Sequence, residues 1–269
     1  MNKILSETIR IIREQNIDSI LEAGITSLIY GILYSQGWNV FDPYEVVPQH
    51  EVSKIKPKSD HDGYEWNSKK KVDLAVELFD CTKIFIEIKK SDQKLVRHEK
   101  QLKNYLLSIP KAKIGLKPEV PIGVLTNATS WWFYEILNNK YNQTKVVRKK
   151  TVNIDKDNDF DIERIFSNYL SRDKMVEEWY ETNINILNSN TSQRMSAIRN
   201  LRKMKDKRVI EPFKKIIIED NGANLKSVAF EGIIELYDKN DLKTFLKETL
   251  HDPSPSMRER AEKHLEKIK

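Results

Sequence analysis

Cysteine is almost absent from this sequence of 269 residues, where Cys81 is the only one. A lone cysteine excludes an internal disulfide framework and a cysteine-rich zinc site, and it is typical of a protein in a reducing cytoplasm. No apolar run approaches the roughly 20 residues that a membrane span needs, so we expect no membrane partner. The opening MNKILSETIRIIREQ mixes charged and apolar residues at helical spacing, and we do not expect it to be a signal peptide.

Positive charge is in modest excess and is unevenly distributed. The net charge of +6 and the isoelectric point of about 9.1 are compatible with a polyanionic partner, although many basic proteins bind no nucleic acid. Between residues 94 and 117 the only acid is Glu99, against seven basic residues: Lys94, Arg97, Lys100, Lys103, Lys111, Lys113 and Lys117. A second basic cluster, KVVRKK, spans residues 145–150. Each stretch is either a solvated face or a contact surface for phosphate groups.

Hydrophobic periodicity predicts an α/β domain at residues 1–153. Apolar residues recur at helical spacing through residues 3–37, and Gly37 is a typical helix end. Two strands are predicted at KVDLAVELFD (71–80) and TKIFIEIKK (82–90), with a turn at Asp80 and Cys81. Residues 54–71 are predicted to be a loop, residues 92–109 a helix, and residues 120–136 a strand–turn–strand segment. This order indicates a mixed sheet flanked by helices.

The second half of the sequence is predicted to be helical and internally repeated. Two sets of apolar residues recur every 32 positions: Ala197, Ala229 and Ala261, and Leu201, Ile233 and Leu265. A period of this length, with helical spacing inside each unit, is typical of a solenoid. The segment AIRNLRKMKDKRVIEPF resembles a HEAT repeat, although ordinary amphipathic helices are the alternative. We therefore predict an all-α HEAT-like array at residues 191–269, preceded by a helical linker at residues 154–190.

Charged residues of the two predicted strands share one face. Side chains alternate between the two faces of a strand. Along the second strand, this alternation separates the isoleucines 84, 86 and 88 from Phe85, Glu87 and Lys89. Along the first strand, it separates Asp73 from an apolar face formed by Val72, Leu74, Val76 and Leu78. A hairpin centred on Asp80 pairs residues whose numbers add to 160, which sets Asp73 opposite Glu87.

Two carboxylates opposite each other in a sheet repel unless a cation lies between them. Mg²⁺ prefers carboxylate and carbonyl oxygens, so the patch predicts a divalent-cation site formed by Asp73, Glu87 and the main-chain carbonyl of Ile88. The ion could hold a phosphodiester oxygen and lower the pKa of a bound water. Lys89 could orient or deprotonate that water, or stabilise the transition state. Taken alone, these residues also fit an ordinary charge pairing across an exposed strand face.

The surroundings of these residues resemble a known nuclease group. The segment VDLAVELFDCTKIFIEIKK, with Asp73 followed by Glu87-Ile88-Lys89, resembles the PD-(D/E)xK nuclease superfamily. HEKQLKNYL is similar to the Q-x-x-x-Y helix motif of several of its members, here Gln101 and Tyr105. GVLTNATSWWFYEI and LIYGILYSQGWNVFDPYEV resemble parts of the N-terminal nuclease domain of type I restriction enzyme R subunits. The resemblance covers residues 18–137 in the same order.

This resemblance implies a restriction-endonuclease-like fold and a Mg²⁺-dependent DNA endonuclease, in which Mn²⁺ would substitute. It implies that Asp73, Glu87 and Lys89 are catalytic, that Glu22 assists metal binding, and that Gln101 contacts the substrate or orients the site. Glu14 is the alternative to Glu22, because Glu22 lies one residue out of register with the usual spacing. Tyr105 is expected to pack. Together with Gln101, five basic residues would contact the DNA: Lys90, Lys94, Arg97, Lys100 and Lys103.

The sequence departs from the type I subunit after the nuclease-like region. That subunit continues into a helicase motor, whereas this sequence has no G-x-x-x-x-G-K-[ST] phosphate loop and is not expected to translocate DNA by itself. The HEAT-like array would instead bind DNA, a protein partner or a further copy of the chain. A role in restriction or anti-phage defence follows from the resemblance alone. Two alternatives stay open: an RNA-directed nuclease, and a non-catalytic nucleic-acid-binding adaptor that recruits partners through the array.

Overall fold

The computed structural model describes residues 2–15, 17–51, 71–90, 93–108, 121–138, 144–189 and 192–268. The chain divides into two compact units, Met1–Val176 and Glu177–Lys269. Residues 54–70 of the predicted loop lie outside the described residues, as do three lysines of the basic stretch: Lys111, Lys113 and Lys117. In the described part of the chain, no helix has the length and apolar character to cross a membrane.

A six-stranded mixed sheet forms the centre of the first unit. Its strands are β1 (Val46–Glu51), β2 (Lys71–Leu78), β3 (Cys81–Ile88), β4 (Ile122–Thr126), β5 (Ser130–Asn138) and β6 (Thr144–Asn153). They lie side by side in sequence order, and all neighbours are antiparallel except β3 and β4, which are parallel. Parallel neighbours need a crossover connection, and here it contains α3 (Glu99–Ser108). The prediction of a mixed sheet is confirmed.

Helices cover both faces of this sheet. Helices α1 (Lys3–Glu14), α2 (Glu22–Ser35) and α4 (Asp159–Leu170) pack on one face, which contains the isoleucines 84, 86 and 88. Helix α3 packs on the opposite face, where its Leu102 and Leu106 belong to a second cluster with Phe85 and Leu125 of the sheet. The flanking helices are therefore confirmed, and the alternation predicted for the second strand places its isoleucines in the main core.

Strands β2 and β3 form the predicted hairpin with two local differences. From Leu74↔Ile86 to Val76↔Ile84 the paired numbers add to 160 as expected. A bulge after Val76 shifts the register by one, so the turn consists of Phe79 and Asp80, with φ of 54° and 61°, rather than Asp80 and Cys81.

The alternation along β2 breaks at Asp73. Val72 was expected to share a face with Leu74, but it belongs to the cluster under α3, whereas Leu74 belongs to the main core. On the neighbouring strand, Gln49 lies between the pairs Pro48↔Leu74 and His50↔Val72 and has a left-handed φ of 51°. The backbone of β1 is therefore also irregular beside Asp73.

The first unit extends further along the chain than the sequence suggested. The basic segment KVVRKK, which was not assigned a structure, lies in the terminal strand β6. Helix α4 follows, and its buried residues Ile162, Phe166 and Leu170 belong to the main core. The unit boundary falls inside α5 (Arg172–Leu187), so the expected linker at 154–190 is divided between the two units. The first unit continues beyond residue 153 because the apolar side of α4 completes its main core.

The second unit is helical, as predicted. After the end of α5 it contains α6 (Arg194–Lys203), α7 (Ile210–Glu219), α8 (Ala223–Ile234), α9 (Lys239–Thr249) and α10 (Pro255–Lys267). The repeat-equivalent alanines 197, 229 and 261 lie on α6, α8 and α10 and are fully buried. Asp220 and Asp252, also 32 residues apart, each accept a hydrogen bond from the main-chain N–H two residues later. The three equivalent alanines are therefore all buried, and the two equivalent aspartates form the same kind of turn.

We predict that Phe166→Ala destabilises the first unit by about 3–5 kcal/mol, because truncating a buried phenylalanine removes apolar burial and leaves a cavity. The Phe166 ring lies 5.0 Å from that of Trp131, measured between centroids. Urea unfolding followed by tryptophan fluorescence measures the change. Ser167→Ala, at the exposed neighbouring position, is the matched control and should change stability by less than about 0.5 kcal/mol. Equal stability of the two variants would contradict the assignment of α4 to this core.

Candidate active site

Asp73, Glu87 and Lys89 come together at one end of the β2–β3 hairpin. Glu87 is the penultimate residue of β3, and Lys89 follows the strand directly. The Lys89 Nζ atom lies 2.6 Å from Glu87 Oε1 and 3.9 Å from Asp73 Oδ2. The structure thus brings together the two acids and the lysine that strand alternation placed on one face.

The Asp73 carboxylate is held by the main chain of β3. Its Oδ2 atom accepts a hydrogen bond of 2.7 Å from the N–H of Ile88. Its Oδ1 atom lies 3.4 Å from Gln49 Nε2, a longer contact. Gln49 was not singled out from the sequence, because its position beside Asp73 depends on the register of β1. These contacts fix Asp73 while leaving most of the bonding capacity of Oδ1 free.

Glu87 is the most deeply buried of the three charged residues, with 1% of its surface exposed. Its Oε1 atom accepts hydrogen bonds from Lys89 Nζ at 2.6 Å and from Gln101 Nε2 at 2.5 Å. Its Oε2 atom is buried and has no hydrogen-bond partner among the described residues. Leaving a buried carboxylate oxygen unpaired is costly, so this atom is the clearest candidate in the site for a cationic ligand.

Helix α3 carries Gln101, the amide that donates a hydrogen bond to Glu87. Gln101 Nε2 also donates to the hydroxyl of Tyr105 at 2.8 Å, and that hydroxyl donates to the carbonyl of Lys71 at 3.0 Å. Tyr105 is 5% exposed and packs under α3, as the sequence suggested. Its position four residues after Gln101 sets the two side chains on one side of the helix. Gln101 and Tyr105 therefore hold the Glu87 carboxylate in place from α3.

The environment of Glu87 raises the pKa of its carboxyl to about 7 from 4.5. Burial is the largest cause and the nearby charge of Asp73 adds to it, while the hydrogen bond from Lys89 acts in the opposite direction. For Lys89, burial lowers the pKa, but its contacts with Glu87 and the charges of Asp73 and Glu22 outweigh burial and raise it. Lys89 is therefore a cation at neutral pH.

Glu22 lies near this cluster but differs from the other acids. It is the first residue of α2 and is exposed, and its charge affects the pKa of both Glu87 and Lys89. Among the described residues, no group of three or more His, Cys, Asp or Glu side chains could hold a metal ion. Glu22 thus does not complete a ligand set with Asp73 and Glu87. The alternative, Glu14, ends α1 and pairs with Arg10.

The basic residues expected to contact nucleic acid follow β3 along the chain. Four of them are exposed: Lys90, Lys94, Arg97 and Lys100. The fifth, Lys103, is half-buried and lies 2.9 Å from Glu99 Oε1. His98 was not assigned a role from the sequence, yet it is half-buried close to the site. Burial, together with the charges of Lys89 and Arg97, lowers its pKa. The only sequence signal for a position of His98 near the site is its place three residues before Gln101, on the same side of the predicted helix.

The oxygen atoms of this cluster fit a hard divalent cation. Glu87 Oε2 is unpaired and Asp73 Oδ1 is weakly bonded. Ile88, whose main-chain carbonyl is the third predicted ligand, directly follows Glu87 in the chain. Mg²⁺ is commonly bound by one or two carboxylates and completes its shell with water or substrate oxygens. Two protein carboxylates, without a third, are therefore sufficient for such a site.

Comparisons of the chain with protein-family models, with curated proteins and with solved structures gave no match. The interpretation of this site consequently depends on its own geometry.

Glu87 should make stability depend on pH in a defined direction. Because its carboxyl has a pKa of about 7 in the folded chain and 4.5 as the ordinary value, the folded state holds a proton more tightly than the unfolded state. Stability should therefore fall as the pH rises through this range, by up to about 3 kcal/mol. Glu87→Gln should remove this loss, measured by urea unfolding at pH 5 and pH 8 with a metal chelator present.

The same neutralisation at the exposed residue Asp155 provides the control for that experiment. Asp155→Asn should keep the fall in stability that the wild-type chain shows between the two pH values. If Glu87→Gln and the wild-type chain lost stability equally, the described environment of Glu87 would be wrong.

Proposed function

We propose that the chain is a Mg²⁺-dependent nuclease that hydrolyses phosphodiester bonds of DNA. The observation that carries the proposal is the buried, unpartnered Oε2 of Glu87 beside Asp73 and Lys89. A structural ion pair would satisfy both carboxylate oxygens, whereas here the lysine and Gln101 both bind Oε1. Perturbed titratable groups gathered at one end of a sheet are typical of functional sites.

Asp73 and Glu87 would hold the metal ion, with the carbonyl of Ile88 as a further ligand. A bound Mg²⁺ supplies positive charge that stabilises the phosphodiester oxygens and makes water more acidic. The hydrogen bond from Ile88 N–H orients the Asp73 carboxylate, and Gln101 orients that of Glu87. Glu22 would not bind the metal ion directly. Its charge would add to the negative potential of the site.

Lys89 would act as a fixed cation next to the reacting phosphate. Its ammonium group is held by Glu87 and its main-chain N–H donates to the carbonyl of Thr126 at 2.8 Å, so both ends of the residue are fixed. A positioned ammonium can donate hydrogen bonds to the attacking water or to an oxygen that gains negative charge during the reaction. Its raised pKa favours these roles over deprotonation of the water.

The exposed basic residues after β3 support a polyanionic substrate. Lys90, Lys94, Arg97 and Lys100 follow the proposed catalytic residues in the chain, where they would contact backbone phosphates. Lys103 would contribute less, because Glu99 already neutralises much of its charge. Contacts of this kind do not read base sequence.

We assign the first unit to the restriction-endonuclease-like fold of the PD-(D/E)xK superfamily, on the order of its elements and the arrangement of Asp73, Glu87 and Lys89. The second unit would be a HEAT-like array, supported by the buried alanines that recur every 32 residues. It would bind DNA, a protein partner or another copy of the chain, and the whole would serve restriction or anti-phage defence in the cytoplasm.

Cleavage of plasmid DNA, linear single-stranded DNA and RNA with Mg²⁺ or Mn²⁺ tests the proposal. We expect DNA cleavage that stops when the metal is chelated. Asp73→Asn, Glu87→Gln and Lys89→Met should each reduce the rate by at least about 100-fold, since each removes a metal ligand or a catalytic charge. Asp155→Asn makes the same chemical change as Asp73→Asn at an exposed position outside the cluster, and it should leave the rate within about twofold of wild type.

Full activity in the three site variants would refute the assignment of the site. Binding of DNA without cleavage under any metal condition would favour the non-catalytic adaptor, and cleavage of RNA alone would favour the RNA-directed nuclease.

A further inference from the structure

The sheet face that carries Glu87 also carries Trp132 on the other side of β4. In the register of the sheet, Glu87 pairs with Leu125, and Leu125 pairs with Trp132. Glu87 and Trp132 therefore lie in one row across the sheet, two strand spacings or about 10 Å apart. Trp132 packs against the cluster under α3, which places its side chain on the same face as Phe85.

Arg148 of β6 lies over the ring of Trp132. Its guanidinium carbon is 4.2 Å from the ring centroid, close enough for a cation–π contact. The side chain is exposed, and in the described part of the chain no carboxylate lies within salt-bridge distance of it. Glu99, whose charge interacts with that of Arg148, is already bonded to Lys103. The guanidinium also interacts with the hydroxyl of Tyr134. The tryptophan thus holds the guanidinium while leaving its other N–H donors available to a ligand.

A guanidinium fixed in this way suits a phosphate group. Its planar set of donors binds two phosphate oxygens at once, and stacking on an aromatic ring reduces the side-chain entropy lost on binding. Stacking of a base on Trp132 is less favoured, because Arg148 occupies one face of the ring. Trp131, the neighbouring tryptophan, is fully buried and cannot meet a ligand.

We propose that Arg148, positioned by Trp132, is a second phosphate-binding subsite for the DNA backbone. The inference rests on the proposed function, because it takes the DNA strand cut at Glu87 as its ligand. A strand carries a phosphate at every nucleotide, so one that is bound at Glu87 and continues past Trp132 brings further phosphates to the guanidinium that this tryptophan holds. The subsite fixes the strand beside the scissile bond and requires no particular base.

Arg148→Met and Lys149→Met provide a matched pair of variants. Both remove one positive charge from exposed positions of β6, but Lys149 lies 3.7 Å from Glu135, which is on the opposite face from Tyr134 and Arg148. Methionine keeps an apolar chain over Trp132, so neither variant should affect folding, which far-UV circular dichroism and urea unfolding check. The measurement is fluorescence anisotropy of a labelled DNA duplex, with a metal chelator present and at several KCl concentrations.

We expect Arg148→Met to weaken binding about tenfold and to lower the slope of log K against log salt by about one, as loss of one phosphate contact requires. Lys149→Met should stay within about twofold of wild type. Equal effects of the two variants, or no binding of DNA by the wild-type chain, would overturn the subsite.

Failure of the subsite and failure of the nuclease proposal give different results. If the chain binds DNA through Arg148 but cleaves nothing, the subsite stands and the nuclease proposal falls. If the chain cleaves DNA and Arg148→Met behaves like Lys149→Met in both binding and KM, the subsite alone falls.

Discussion

A carboxylate almost out of contact with water is costly to ionise, and Glu87 is held in that condition at the end of β3. Lys89 and Gln101 satisfy only its Oε1 atom, which leaves Oε2 buried and unpaired. A buried ion pair optimised for stability would not leave an oxygen in this state. In the proposed function, the unpaired oxygen and the neighbouring carboxylate of Asp73 would together bind the metal ion.

Several elements of the first unit contribute contacts to this cluster. The β2–β3 hairpin brings Asp73 to the N–H of Ile88, and β4 accepts a hydrogen bond from the main chain of Lys89. Parallel pairing of β3 and β4 requires a crossover, and the crossover helix α3 returns over the sheet with Gln101 facing Glu87. The isoleucines of β3 anchor the strand in the opposite core. The site therefore depends on topology as much as on the three charged residues.

Strand alternation and the turn after β2 were sufficient to predict that Asp73, Glu87 and Lys89 share a patch, because side-chain period and hairpin register are local properties. The break in alternation at Val72 was not predictable, since it depends on the irregular backbone of β1 near Gln49. Strand β6 was missed because its exposed lysines and arginine hide the apolar alternation. Helix α4 was separated from the first unit because its apolar stripe shows that it packs on a core but not on which one. The position of Glu22 depends on how α2 packs on the sheet, which spacing along the chain does not determine.

We propose that the unpaired oxygen of Glu87 and the carboxylate of Asp73 bind a divalent cation. Anomalous diffraction from crystals soaked in Mn²⁺ locates such an ion directly. We expect one strong peak within coordination distance of Glu87 Oε2 and Asp73 Oδ1, which is lost in crystals of Glu87→Gln. A cluster without a peak at saturating Mn²⁺, or a peak that persists unchanged in Glu87→Gln, would contradict it.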